Sequence, residues 1–233
     1  MKKNNYGRLF LFCRWIVRLF IRRYEMDLTR VNQDKPVVYV SHHQNLIGPF
    51  YVYLSSPELI RVWMLHVFLD REACYKHYKN YTFTKRFGLN KTIAGIIAYL
   101  VSYFITCLMK SGRGLPVYRG TREILKTFQI SVEALQKGEN IAIFPDIDYQ
   151  DSGSEVKEMY EGFLFIEKYY FRKTKEHVQF VPLYVSRNMK KIIAGEAILF
   201  SGKESFRKES KQVLKQIQNQ LNQMAKDCGD IDS

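Results

Sequence analysis

The sequence predicts an α/β fold, a mostly parallel central sheet flanked by helices, because short β-branched runs alternate with helix-patterned segments. A second observation agrees. Several of those runs lead straight into polar or Pro-containing turns, as strand ends do along the ligand-binding edge of an open sheet. A chain of 233 residues is long enough for one substantial core. We expect residues 1–30 to form an N-terminal interfacial helix and residues 31–233 a single α/β domain.

The N-terminal segment LFLFCRWIVRLFIRRYEM has Arg14, Arg18 and Arg22 at four-residue intervals, a basic stripe along a helix. Leu9, Phe12, Trp15, Ile16, Leu19 and Phe20 supply apolar surface around the rest of it. Arg stems and an indole beside such a face fit a helix lying in the headgroup region, and the plainer alternative is a core-packed helix with a solvated Arg edge. KPVVYV (35–40) is a strand, ended by the Gly and Pro of SHHQNLIGPF. Residues 51–87 are aromatic and mixed, and read as helices. Residues 93–109 carry no charge; at 17 residues they are at the lower limit for spanning a bilayer and fit a buried or membrane-inserted helix equally well. GLPVYRG (114–120) reads as strand and turn, and residues 121–137 as a helix ended by Gly138. NIAIFPDID is a buried strand broken at Pro145, QFVPLYVS (179–186) another, and residues 192–200 a further candidate. Val213, Leu214, Ile217, Leu221 and Met224 mark a C-terminal amphipathic helix.

The net charge of +13 suits a polyanionic surface, and its placement favours an anionic bilayer over nucleic acid, for which no groove-reading motif is present. Cys13, Cys74, Cys107 and Cys228 form no metal-ligand spacing and read as reduced thiols of a cytosol-facing protein. No secretory signal is expected, because Arg14 and Arg18 break the first apolar stretch. His66, His77 and His177 lie outside any motif, and the basic runs at 172–175 and 187–191 read as solvated charge with an alternative as contacts for anionic lipid or an acidic carrier protein.

Chemistry-bearing residues follow the strands in order: His43, Arg119, then Phe144, Pro145 and Asp146, then Pro182. At a strand end a lone His is a weak signal; the ordered set is stronger, since parallel strands bring their C-terminal ends to one edge. This set resembles the four motifs of the glycerolipid acyltransferase family, the lysophosphatidic acid acyltransferase type, across roughly residues 30–200. SHHQNLIGPF is similar to the first motif, N-H-x4-D, with His43 on the catalytic histidine, His42 on the Asn and Gly48 on the aspartate. LPVYRG resembles the second, whose arginine corresponds to Arg119. FPDID resembles the third, F-P-E-G-T-R, with Asp146 for the acid and Ile147, Asp148 and Tyr149 departing from Gly-Thr-Arg. FVPLYV resembles the fourth, its proline at Pro182, and MYEGFLFIE echoes a K-x-G-x-F run at Gly162.

The resemblance implies acyl transfer from acyl-CoA or acyl-carrier protein to a hydroxyl or amine of a membrane-associated lysophospholipid-like acceptor. It implies no metal and no cofactor beyond the acyl donor, and a peripheral or monotopic site on the cytoplasmic face of a membrane. His43 is then the general base, and Arg119 holds the polar head of the acceptor, with His42, Gly48, Phe144, Pro145 and Pro182 lining the substrate site. A glycine at 48 cannot orient the imidazole as the family's aspartate does, a loss that costs a triad enzyme about four orders of magnitude. Three readings stay open. Asp146 or Asp148 reaches His43 from the neighbouring strand end; a backbone carbonyl or His42 orients the ring; or the fold binds lipid without turnover. A fourth, in another class, is a metal-dependent glycosyltransferase in which Asp146 and Asp148 hold a divalent ion.

Overall fold

A computed structural model describes residues 6–118, 120 and 122–232. The chain runs α1 (Arg8–Phe20), β1 (Glu25–Asp27), β2 (Val37–Val40), α2 (Ile47–Ser55), β3 (Ile60–Leu65), α3 (Arg71–His77), α4 (Lys91–Ser111) and β4 (Leu115–Val117). It continues through α5 (Ile124–Gln136), β5 (Asn140–Ile143), α6 (Phe165–Thr174), β6 (Gln179–Ser186), β7 (Lys191–Ala194) and α7 (Phe206–Asp227). The seven strands form one sheet in the order β1-β7-β6-β2-β5-β3-β4. Strands β6, β2, β5, β3 and β4 are mutually parallel, whereas β7 is antiparallel to β6 and β1 is parallel to β7. The fold is therefore α/β with a mostly parallel sheet, as the alternation of segments predicts.

Successive residues of β2 face opposite sides, so Val38 and Val40 join the core under α5, α6 and α7 while Val37 and Tyr39 join the core on the other face with Val52 of α2. All four are buried, as a strand covered on both faces requires. Two sequence expectations need correction here. Residues 60–65 are a strand, although 51–87 read as helical: the segment's in-and-out burial is masked by Arg61 and Trp63, whose polar ends reach Glu139 (3.0 Å) and Ser131 (2.9 Å). Pro182 also lies inside β6 and not beyond its end. It faces Val40 at the last β2–β6 pair, where its missing N–H costs no further ladder bond.

Helices α1 and α4 are packed inside out. Arg18 of α1 donates through Nε (2.9 Å) and Nη2 to the Leu54 carbonyl, and Arg14 donates to the Ser56 carbonyl at 3.2 Å. Two members of the basic stripe thus cap the C-terminal carbonyls of α2, where a cation also meets the negative end of the helix dipole. They are not free for headgroups. Phe12, Trp15, Leu19 and Phe20 face outward instead, Phe20 with 84% of its surface exposed. In α4 the inner stripe is Ala94, Ala98, Ser102 and Thr106, and the outer face carries Ile93, Ile96, Leu100 and Phe104. Small residues inside and large apolar ones outside invert the pattern of a water-facing helix. At 21 residues α4 is also long and apolar enough to cross a membrane, by length and composition.

The two helices meet the domain through Tyr6, Phe10 and Leu59, with Leu108 and Tyr53 alongside. Between α3 and α4 lies a nine-residue π-helix (Tyr78–Arg86), longer than the single-turn π-bulges usually seen.

Because Arg18 is a charged donor shared by two nitrogens, Arg18→Ala should lower stability by about 1–3 kcal/mol. Trp15→Ala, on the outward face, should change it by less than about 0.5 kcal/mol in the absence of lipid. Urea unfolding of the two variants checks this order, which is the reverse of that expected for a helix burying its apolar side.

Candidate active site

Strands β2 and β5 are neighbours, with Val40 opposite Ile143, and the Ser41 amide continues the ladder to the Ile143 carbonyl at 3.0 Å. Their C-terminal extensions therefore emerge side by side: Ser41, His42 and His43 from one, Phe144, Pro145 and Asp146 from the other. The second extension is fixed by a short antiparallel bridge, Tyr160 N–H to the Pro145 carbonyl (2.8 Å) and Ile147 N–H to the Glu158 carbonyl (3.1 Å). Residues 104 apart in sequence are thus brought into contact by sheet topology alone.

Asp146 is 3% exposed and uses both carboxylate oxygens on the histidine pair. Oδ1 pairs with Nδ1 of the His42 ring, and Oδ2 accepts the His43 backbone N–H at 2.8 Å. The other His42 nitrogen, Nε2, faces the Gly153 carbonyl at 3.0 Å. With both ring nitrogens engaged and the side chain buried, His42 has no lone pair for a substrate. It is a structural partner of Asp146. This corrects the expectation that Asp146 or Asp148 supports the His43 ring: Asp146 holds the main chain of His43 and the ring of its neighbour. Asp148 turns away to accept the Gln150 amide at 2.9 Å, closing a local turn. The two carboxylates of the D-x-D pair thus face different partners.

What does stand at the His43 ring is a donor. The Leu46 backbone N–H is 3.1 Å from Nδ1. The geometry comes from a left-handed run: Gln44, Asn45 and Leu46 have φ of 46°, 48° and 77°. For L-residues such a conformation costs about 1–2 kcal/mol each, less for Asn. The run turns the chain back so that Ile47 and Gly48 donate to the Gln44 and His43 carbonyls, both at 3.1 Å, and α2 begins. Gly48 is essential to that turn. A Cβ placed there would overlap the His42 carbonyl oxygen and press on the Phe144 ring at 3.2 Å. The position that carries the acid in the family has no room for any side chain here.

The His43 ring stands edge-on to Phe144 (centroids 6.1 Å apart) and Tyr149 (5.4 Å). Burial holds its pKa below the ordinary imidazole value, against the raising influence of Asp146, and His42 lowers it further. His43, Phe144, Pro145 and Tyr149 form part of the wall of a cavity of about 1190 Å³. Its other walls are mostly apolar, with Phe10 and Val17 of α1, Phe50 of α2, Trp63 and Met64 of β3, Leu108 of α4 and Phe128 of α5, and they include Arg14 and the tyrosines Tyr53, Tyr78, Tyr160 and Tyr169. No Asp or Glu is among its lining residues, and its volume slightly exceeds the roughly 300–1,000 Å³ of ordinary ligand pockets. A second, smaller hollow of about 370 Å³ is lined by His42, Asp146, Ile147, Asp148, Asp151, Lys157 and Glu158. Among the described residues no three His, Cys, Asp or Glu side chains are grouped as metal ligands. Arg119 lies outside the described residues, and Pro182 is buried in the sheet and lines neither hollow.

Sequence reasoning missed Leu46 and Gly153, whose contributions are main-chain groups, and Tyr149, whose aromatic edge replaces the family's arginine beside the imidazole. The Gly48-Pro49 pair, read as the end of the strand region and, at Gly48, as the place of the family's aspartate, was the one visible trace of the tight turn.

No family model and no curated protein matches this sequence. Among solved structures, the 1-acyl-sn-glycerophosphate (LPA) acyltransferase PlsC from Thermotoga maritima has a similar fold, with a TM-score of 0.52 and 12% identity over 93% of this chain and 78% of that one. At this identity the likeness is one of fold.

The turn leads to a prediction. Gly48→Ala should destabilise the protein by at least about 1–3 kcal/mol through overpacking against the His42 carbonyl. Gly48→Asp should behave no better, despite supplying the family's acid. Urea unfolding with an unshifted midpoint for either variant would show the turn to be other than described.

Proposed function

We propose that this protein is an acyltransferase working at a membrane surface. It moves a fatty acyl group from acyl-CoA or acyl-carrier protein to a hydroxyl or amine of a lysophospholipid-like acceptor. The observation that carries the reading is the meeting of a mostly apolar cavity with a single imidazole in its described lining, on a fold similar to that of an LPA acyltransferase. A thioester is already activated, so the protein must supply alignment, a proton acceptor and stabilisation of the developing oxyanion. The acyl chain would lie in the cavity with its carbonyl carbon at His43.

In the transfer step the acceptor's oxygen or nitrogen bonds to the carbonyl carbon while its proton passes to His43 Nε2. The carbon–sulfur bond then breaks, and the thiolate leaves with that proton. This requires a bare Nε2, hence a proton on Nδ1, so the Leu46 amide must give way before His43 acts as base. Asp146 keeps the His43 main chain in place without entering the proton path. Arg119 is proposed as the contact for the acceptor's polar head. The outward apolar faces of α1 and α4 support docking on a bilayer, the excess of Lys and Arg favours an anionic one, and α4 would lie against or within it.

A second reading has a specific observation in its favour. The Leu46 N–H on Nδ1 suits acyl-lipid binding without turnover, because it leaves the resting ring with no acceptor for the acyl acceptor's proton.

Turnover decides between them. With vesicles containing lysophospholipid or amine acceptors and long-chain acyl-CoA as donor, the purified protein should release free thiol. His43→Ala should lower the rate by about 10²–10⁴-fold, the usual worth of a general base. An unchanged rate in the variant removes His43 from the mechanism, and no turnover by the parent chain across the panel leaves the binding reading.

A further inference from the structure

The tautomer of His43 follows from its surroundings. A backbone N–H can only donate, so the Leu46 amide at 3.1 Å makes Nδ1 the acceptor nitrogen of the ring. The neutral imidazole has one proton, and it must then sit on Nε2. Nothing nearby reverses this. The Asp146 oxygens are occupied by the His42 ring and the His43 amide, and position 48 has no side chain. The left-handed run at 44–46, tied into α2 by the Phe50 N–H to Leu46 carbonyl bond (3.0 Å), holds the amide in place.

Nε2 is the one ring nitrogen of the histidine pair with no hydrogen-bond partner among the described residues, and its ring lines the large cavity. The walls offer it little. They are mostly apolar with no carboxylate, and Arg14, the one cation in the described lining, donates to the Ser56 carbonyl. An N–H donor lining such a space is matched by a ligand that brings one oxygen acceptor on a long apolar chain.

We infer that the cavity binds acyl compounds with His43 Nε2–H donating to the acyl oxygen, so that in its resting form the protein is a receptor for long-chain fatty acids or acyl esters. The inference rests on the acyl-cavity part of the proposed function and not on turnover. It assigns His43 the opposite hydrogen-bonding role from that of a base, and it makes the free acid a ligand in its own right. The shared chemistry is an acyl oxygen on a hydrocarbon chain. A carboxylate and an ester carbonyl are its two sources.

The test uses the full chain in detergent micelles, with ¹⁵N-labelled histidine. Long-range proton–nitrogen spectra at pH 7.5 should show Nδ1 of His43 unprotonated and Nε2 protonated. Palmitate or methyl palmitate should shift Nε2, whereas hexadecane should compete for the cavity without that shift. A response to palmitate alone identifies the carboxylate as the ligand, and a response to both identifies any acyl oxygen. His43→Ala should weaken methyl palmitate binding by roughly three- to tenfold, the worth of one neutral hydrogen bond, and palmitate binding by roughly ten- to a hundredfold, that of a bond to a carboxylate, and leave hexadecane unaffected. His43→Gln, which keeps a donor, should recover most of the loss. Protonated Nδ1, or equal palmitate affinity in the parent and His43→Ala proteins, overturns the inference while leaving the cavity and any measured thioester turnover standing. If no alkyl compound binds, hexadecane included, the acyl cavity falls with it.

Discussion

One buried carboxylate organises this site. Asp146 spends neither oxygen on the catalytic-type imidazole; it clamps the ends of two adjacent strands through the His42 ring and the His43 amide. Such a pair is held by mutual need more than by net gain. Removing one member of a buried hydrogen-bonded pair leaves the other unsatisfied, at about 1–3 kcal/mol. Everything downstream follows from this clamp. His42 is turned inward, His43 is pushed to the cavity side, and the turn between them and α2 must be tight enough that only glycine fits at position 48.

The same economy of contacts explains the periphery. Helices α1 and α4 give the domain two arginines and a small-residue stripe beside Phe10 and Leu108, and keep much of their bulk for the outside. In water this arrangement is costly, since an exposed patch of Phe, Trp, Leu and Ile has no compensation. On a bilayer the cost disappears, and the cavity walls contributed by Phe10, Val17 and Leu108 continue from the same two helices toward His43.

Much of the fold was legible in the sequence, for reasons that also mark where legibility ended. Strands β2, β5 and β6 are rich in β-branched residues and buried on both faces, and β2 and β5 have Pro or Gly close to their ends, so their patterns are clear. Strand β3 is not: Arg61 and Trp63 reach out to polar partners, and the six-residue run lacks a clean period. The basic stripe of α1 was visible, yet its partners, two carbonyls of α2, come from tertiary packing that periodicity does not encode. At the site, strand order placed His43 and Asp146 on one edge. Which histidine the acid would take depended on three consecutive positive φ angles and the space at Gly48, and side-chain identity carries no record of either.

The most direct measurement is a high-resolution experimental structure with a non-hydrolysable long-chain acyl thioester bound. We expect the carbonyl oxygen within about 3 Å of His43 Nε2, the tail running between Phe128 and Leu108, and Asp146 still on the His42 ring. A tail lodged elsewhere, or an Asp146 carboxylate rotated onto the His43 imidazole, would contradict the arrangement described.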